Sequence, residues 1–300
     1  GELELREEIR RYLELSRNIK CSSEQIVICS GLQESIEKIC RLIDTGTAVL
    51  ECPGLPFWED GLKAHGFQTV SISVYPENRF IEELMPIRAD IVVTAPSHQF
   101  PVGYILSLEE RVRLLEGARN TGGIIVEDDY DCEFRYSSQP LSAMKSMDQD
   151  DSVLYIGTFS KVLLPGLRIN YMVLPYRLLE IHNQIYRAYP PSVPWITQKA
   201  LYYFMNQEDF WRHILKARRL FKKKHQILTE SCHRAFGSSV ELIGTDAGLH
   251  TLIRIKHASD EKELIRRAAD AGVRVYSVKG YWGNMPGCPE NLILLGFSYI

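Results

Sequence analysis

The stretch GTFSKVLLPGLR, residues 157–168, decides how this chain is read. It follows DSVLYI (151–156), in which Val153, Leu154, Tyr155 and Ile156 form an apolar run of β-branched and aromatic residues that predicts a strand. Lys161 arrives where that strand should end, with Thr158 and Ser160 just before it and Arg168 after it. A lysine at the tip of a buried strand is either solvated or chemically used, because an unpaired ammonium is costly to bury. Taken alone, the segment leaves both readings open.

Working outward, strand-like runs recur at 25–30, 47–52, 69–74, 90–95, 123–129, 152–157 and 168–174. Several are continuously apolar rather than alternating, which suits strands covered on both faces of a mainly parallel sheet. Helical patterns lie between them, for example GLQESIEKICRLI (31–43) and SLEERVRLLEGARN (107–120). The layout is α/β with about seven strands and helices on both faces. The pattern changes after a proline-rich stretch, YPPSVPWITQ (189–198), which leads into helical sequence to about residue 235. There Phe210, Ile214, Ala217, Phe221 and Leu228 keep an apolar stripe, while Arg212, Lys216, Arg218, Arg219, Lys222, Lys223 and Lys224 occupy the other faces. Such a run is ordinarily a solvated face; the rival is a contact surface for DNA or another domain. Beyond it, HTLIRIK (250–256), a helix over 261–272, VRVYSV (273–278) and NLILLGFS (291–298) predict a small α+β unit. We therefore expect a large domain over 1–228 and a small C-terminal domain over 229–300.

Composition narrows the function classes. A net charge of -3 and a pI near 6.3 do not describe an electrostatic nucleic-acid binder. Seven scattered cysteines include no C-x-x-C pair, so neither a zinc site nor a disulfide framework is expected, and a reducing cytoplasm suits them. No signal peptide is visible, and no apolar run approaches the roughly 20 residues of a membrane span. Leu5, Ile9, Tyr12 and Leu13 already keep helical spacing in an opening without methionine, and the last residues form a strand-like run. The sequence thus reads as a piece of a longer protein. The phosphate-binding signatures G-x-G-x-x-G and G-x-x-x-x-G-K-[ST] do not occur, against a nucleotide-binding module.

In open α/β sheets ligands collect beyond the carboxyl ends of the strands. Those ends carry SGLQ (30–33), APSHQFPVG (95–103), DDYD (128–131) and TFSK (158–161). One site would gather carboxylates, a tyrosine, a histidine, a lysine and an arginine. A phosphate is matched by backbone N–H groups at a helix start, here Gly31, Leu32 and Gln33, by the Thr158 and Ser160 hydroxyls, and by Arg168. Asp128 can pair with a protonated pyridine nitrogen, Tyr130 can donate to a phenolate oxygen, and the Lys161 amine can form an imine with an aldehyde. Together these describe pyridoxal 5′-phosphate, whose ring accepts electrons while its nitrogen stays protonated.

The same motifs carry a resemblance. TAPSHQFPVG, VEDDYDCEFRY, YIGTFSKVLLPGLRINYMVLP and FWRHILKARRLFKKK resemble the aminotransferase-like domain of the MocR branch of GntR-type bacterial regulators, within the fold type I pyridoxal-phosphate enzymes, along nearly the whole chain. The resemblance implies a mostly parallel seven-stranded sheet plus a small C-terminal α+β domain. It implies Lys161 as the Schiff-base lysine, Asp128 at the pyridine nitrogen, Tyr130 at the ring hydroxyl, and Thr158, Ser160 and Arg168 at the phosphate. His98 falls where related enzymes place a ring-hydroxyl asparagine. It further implies a homodimer, a small amine or amino-acid ligand, and DNA contact only through a winged helix-turn-helix domain outside this chain. The alternative is a catalytically competent aminotransferase.

Three positions depart from the pattern. Leu32 replaces a small phosphate-binding residue, and Leu55 stands where an aromatic usually stacks on the cofactor, with Phe57 and Trp58 just beyond. Leu294 stands where many aminotransferases carry an arginine for the substrate carboxylate, leaving Lys279 and Arg274 as nearby cations.

Overall fold

The computed structural model describes residues 1–136, 142–256 and 260–298. Helix α1 (Leu3–Arg17) buries Leu5, Ile9, Tyr12 and Leu13, as their spacing predicts, and ends on Asn18 in the left-handed region. Strand β1 (Ile26–Cys29) follows, then α2 (Leu32–Leu42), β2 (Thr47–Cys52), α3 (Pro56–Ala64), β3 (Gln68–Ser73), β4 (Ile91–Thr94), β5 (Ile124–Asp129), β6 (Val153–Thr158) and β7 (Asn170–Val173). The seven strands lie in the order β1-β7-β6-β5-β4-β2-β3. β6, β5, β4, β2 and β3 pair parallel to one another, and β7 runs antiparallel between β1 and β6.

Continuous apolar runs end up covered on both faces because alternate residues serve different cores. In β1, Ile26 and Ile28 face a cluster with Leu5, Ile9 and Leu13 of α1, whereas Val27 and Cys29 face one with Ile36 and Ile39 of α2. β6 and β7 divide likewise, with Tyr155 and Tyr171 on the α1 side and Leu154, Ile156 and Met172 on the α2 side. Side chains of this size are each worth about 1.5–3 kcal/mol when removed from water.

Helix Asp209–Phe236 runs 28 residues and buries Phe210, Ile214 and Ala217 against the α1-side core. The expected domain boundary at 228 falls inside this continuous helix. Two of its basic residues are tied back to the protein: Arg218 Nε donates to the Glu133 carbonyl and Lys224 Nζ to the Ser298 carbonyl. The small unit holds a four-stranded sheet in the order β10-β11-β9-β8, from β8 (Val240–Ile243), β9 (His250–Ile255), β10 (Tyr276–Ser277) and β11 (Leu292–Gly296), with helix Glu261–Asp270 against it. The run VRVYSV pairs only at Tyr276 and Ser277, both exposed at the sheet edge.

Candidate functional site

The parallel strands bring their carboxyl ends together, and the polar residues that follow them meet there. Asp128 is the penultimate residue of β5, pairs in register with Ile156 of β6, and is buried. It accepts from the Trp58 indole Nε1–H at 3.3 Å. Burial pushes its carboxyl up to about 7; the Trp58 donor opposes this, Asp129 and Asp131 add to it, and the Lys161 charge opposes it. Lys161 itself is exposed, in the turn after β6. The strand is buried but its terminal lysine is not, so the amine needs no buried counter-charge to be tolerated.

Tyr130, His98 and Asp131 form a connected group. His98 is buried, and its Nδ1 lies 2.8 Å from Asp131 Oδ2 and 3.0 Å from the Tyr130 hydroxyl. The carboxylate calls for the proton on Nδ1. The Tyr130 oxygen then accepts from the same N–H and keeps its own hydrogen for another partner. Burial, with Asp131 and Asp128 nearby, holds that phenol far above its ordinary pKa, so Tyr130 is a donor at neutral pH. His98 Nε2 is buried without a hydrogen-bond partner. Gly248 of the small unit rests on this group: with φ +80, a Cβ there would lie 2.1 Å from His98 Cε1 and 2.8 Å from Asp131 Oδ2. His250 lies beside His98, ring centroids 5.2 Å apart, and burial lowers it to about 3, so it stays neutral.

At the start of α2 the phosphate-binding candidates also converge. The Arg168 guanidinium lies against Gly31, where a Cβ would come within 2.3 Å of Nη2. Arg168 holds φ 51, a left-handed backbone that is costly outside glycine and asparagine. Gly31 N–H, expected as a phosphate donor, is instead given to Asn170 Oδ1 at 3.0 Å, and Asn170 Nδ2 donates to Ser35 Oγ. The first-turn N–H groups of Leu32 and Gln33 have no intrahelical acceptor by geometry, so they carry the anion-binding capacity of this helix end. Thr158 Oγ1 accepts from Ser160 N–H at 3.1 Å, which fixes both hydroxyl residues in the turn before Lys161.

A cavity of about 310 Å³ opens beside Asp128 and Tyr130. Leu55 and Trp58 line it, whereas Phe57 does not and is exposed. Glu51, at the end of β2, also lines it; it accepts from the Thr94 hydroxyl and from Ala95 N–H, and burial pushes it up to about 7. Leu294 is buried in β11 as part of the core. Lys279 pairs with Glu261 at 3.6 Å, and Arg274 sits 5.7 Å from the Tyr276 ring centroid, so both candidate cations are engaged elsewhere. Sequence reasoning did not assign Asn170, Asp131, Glu51 or the Trp58–Asp128 bond. Asp131 and Asn170 stand inside quoted motifs and Glu51 inside the strand-like run 47–52, but none of them carries a local signal of its partner.

The donor set fits pyridoxal 5′-phosphate: an exposed lysine, a buried carboxylate for a cationic ring nitrogen, a protonated phenol with a free hydrogen, and an arginine beside a helix N-terminus.

Comparison with known proteins agrees with the fold. The family described as aminotransferase class I and II matches residues 1–292. YdeL of Bacillus subtilis, an HTH-type transcriptional regulator, is 36% identical over 99% of this chain and 64% of its own length. The probable rhizopine catabolism regulatory protein MocR of Rhizobium meliloti is 29% identical over 100% of the chain and 61% of its own length. The chain thus spans less than two thirds of these regulators. Among solved structures, a kynurenine aminotransferase of Pyrococcus horikoshii superposes with a TM-score of 0.87 at 25% identity, covering 100% of this chain and 76% of that one. The chain belongs to the class I and II aminotransferase family.

Proposed function

We propose that this chain is the pyridoxal-phosphate-binding, effector-sensing domain of a bacterial MocR/GntR-type transcriptional regulator, with a small amine or amino acid as ligand. The observation that carries the reading is a split within the site. Residues able to hold the cofactor's ring, aldehyde and phosphate are present, while the position for a carboxylate-binding arginine is Leu294, buried in the core. DNA would be contacted by a helix-turn-helix domain outside this chain, as the similarity to HTH-type regulators supports. The domain works as a cytoplasmic homodimer, for which the exposed Tyr189, Trp195, Ile196 and Tyr203 offer apolar surface.

The cofactor, when bound, supplies a ring that withdraws electrons from an attached amine. The protein's own groups do the rest. Lys161 Nζ is the covalent attachment point and the base that carries a proton once released. Asp128 would hold the ring nitrogen protonated, and the Trp58 N–H favours the ionised carboxylate against the effect of its burial. Tyr130 donates to the ring oxygen, and His98, oriented by Asp131, fixes Tyr130. Arg168, the Leu32 and Gln33 N–H groups, Thr158 and Ser160 hold the phosphate, with Gly31 letting Arg168 approach the helix start.

The complete Lys161–Asp128–Tyr130 set also favours, as a second reading, a competent aminotransferase. One experiment tests the proposal and separates the two. The purified chain with pyridoxal phosphate is treated with borohydride and mapped, then assayed with amines and a keto acid. Lys161→Ala should abolish the trapped adduct; an adduct on another lysine refutes the assignment. A ligand that shifts the visible band once, without product, supports sensing, whereas multiple turnovers establish the enzyme.

A further inference from the structure

The cavity beside Asp128 has an uneven charge. Its wall carries the carboxylates of Glu51 and Asp128, and of Glu59, which is paired with Lys63; among the described residues no lysine or arginine lines it. Trp58, Phe100, Tyr281 and Trp282 supply aromatic surface. Carboxylates among aromatic faces attract cations and repel anions, and the preference strengthens where water is excluded. Lys279 pairs with Glu261, Arg274 lies on Tyr276 and Leu294 is buried in the core, while Lys161, whose charge reaches Asp128, is the proposed cofactor attachment point.

The two acids are not equivalent. Asp128 is taken by the ring nitrogen in the proposed cofactor site. Glu51 Oε1 accepts from the Thr94 hydroxyl and Oε2 from Ala95 N–H. Two carboxylate oxygens offer about four lone-pair positions, so Thr94, Ala95 and the Gln99 amide, which also favours the Glu51 anion, leave acceptor capacity. Burial destabilises the Glu51 anion, so a nearby cation would recover the solvation it has lost.

From this wall we infer that the cavity takes an amine whose far end is a second cation, of the diamine class, and rejects amines ending in a carboxylate, with Glu51 as the discriminating binding residue. The inference rests on the proposed cofactor site for the position of the reacting amine, but the sign of the cavity does not depend on it.

The test compares three compounds of equal chain length: 1,5-diaminopentane, pentylamine and 5-aminopentanoate. Each is titrated into the chain loaded with pyridoxal phosphate, read by the visible band. Each is also titrated into the chain alone, read by the fluorescence of Trp58 and Trp282, which line the cavity. The diamine should bind tightest and the amino acid weakest, the two differing by roughly tenfold or more. Glu51→Gln should shrink that ratio towards unity. The amino acid matching or exceeding pentylamine overturns the inference, as does a folded Glu51→Gln protein that keeps the full preference, or no response to any compound in either readout. Should Glu51→Gln fail to fold, the wild-type ranking decides. Absence of any visible band overturns the cofactor reading instead, and the fluorescence ranking still decides this one.

Discussion

Replacing Arg17 by methionine should destabilise the chain by about 3–5 kcal/mol, the usual penalty for stranding one member of a buried ion pair. Arg17 closes α1, and its Nε lies 2.7 Å from Asp129 Oδ2, with the two side chains 3% and 1% exposed. Its Nη2 donates to Ser97 Oγ, and Asp129 also accepts from the Tyr155 hydroxyl at 2.8 Å. At such burial, solvent screening removes little of the interaction. Arg17→Met keeps most of the aliphatic volume, so the loss is electrostatic: Asp129 loses the guanidinium and retains the Tyr155 hydroxyl. Urea unfolding followed by far-UV circular dichroism measures it; with a slope of about 3 kcal/mol per molar, the midpoint falls by roughly 1–1.7 M. Adding Asp129→Asn should restore about half the loss, because the asparagine is neutral and still accepts from Tyr155. A single-variant loss under about 1 kcal/mol, or a double variant no better than the single, refutes the reasoning.

Other outcomes follow from the site. Trp58→Phe removes the indole donor to Asp128, and pyridoxal-phosphate affinity should fall by roughly tenfold or more by absorbance titration, in line with one hydrogen bond to a charged group. Gly248→Ala should destabilise by about 2 kcal/mol or more by chemical unfolding, because it adds a methyl against His98 at a left-handed backbone position. Stability should decline between pH 5 and pH 8. Glu51, Asp128 and Glu133 are raised by burial to about 7, so the folded chain holds protons that the unfolded chain has released above about pH 4. Each such group lowers stability by up to about 1.4 kcal/mol per pH unit until pH passes its folded value. His250, lowered to about 3, acts oppositely only up to about pH 6.5, and one group does not cancel three. A urea midpoint that rises from pH 5 to pH 8 contradicts this.

Much of the architecture was legible because its signals are local. Strands β1 and β4 and the first residues of β2, β5 and β6 are continuous apolar runs, and both core faces can be read from their alternate residues. Helix Leu108–Thr121 announces itself through the Ser107–Glu110 capping box and Gly122. Edges were harder. β8 reads VELI, short and half exposed, and carries no clear period. The 273–278 run has strand composition, but only two of its residues find a partner. In the site, residue types that follow strand ends could be gathered from the order of the elements alone. Their pairings could not. Trp58 meets Asp128 across 70 positions and Gly31 meets Asn170 across 139, contacts that no spacing rule encodes.

Gly248 gives the small sheet a bearing on the chemistry. Its N–H donates to the Phe134 carbonyl, its own carbonyl accepts from the Tyr136 hydroxyl, and its Cα touches the imidazole that holds Tyr130. The segment is clamped on both sides of the residue, and there is no slack between backbone and ring. A rotation of His98 that follows a change at the Tyr130 oxygen must therefore push on a fixed point of the neighbouring unit. The distance over which an event at the ring becomes a mechanical displacement is one van der Waals contact.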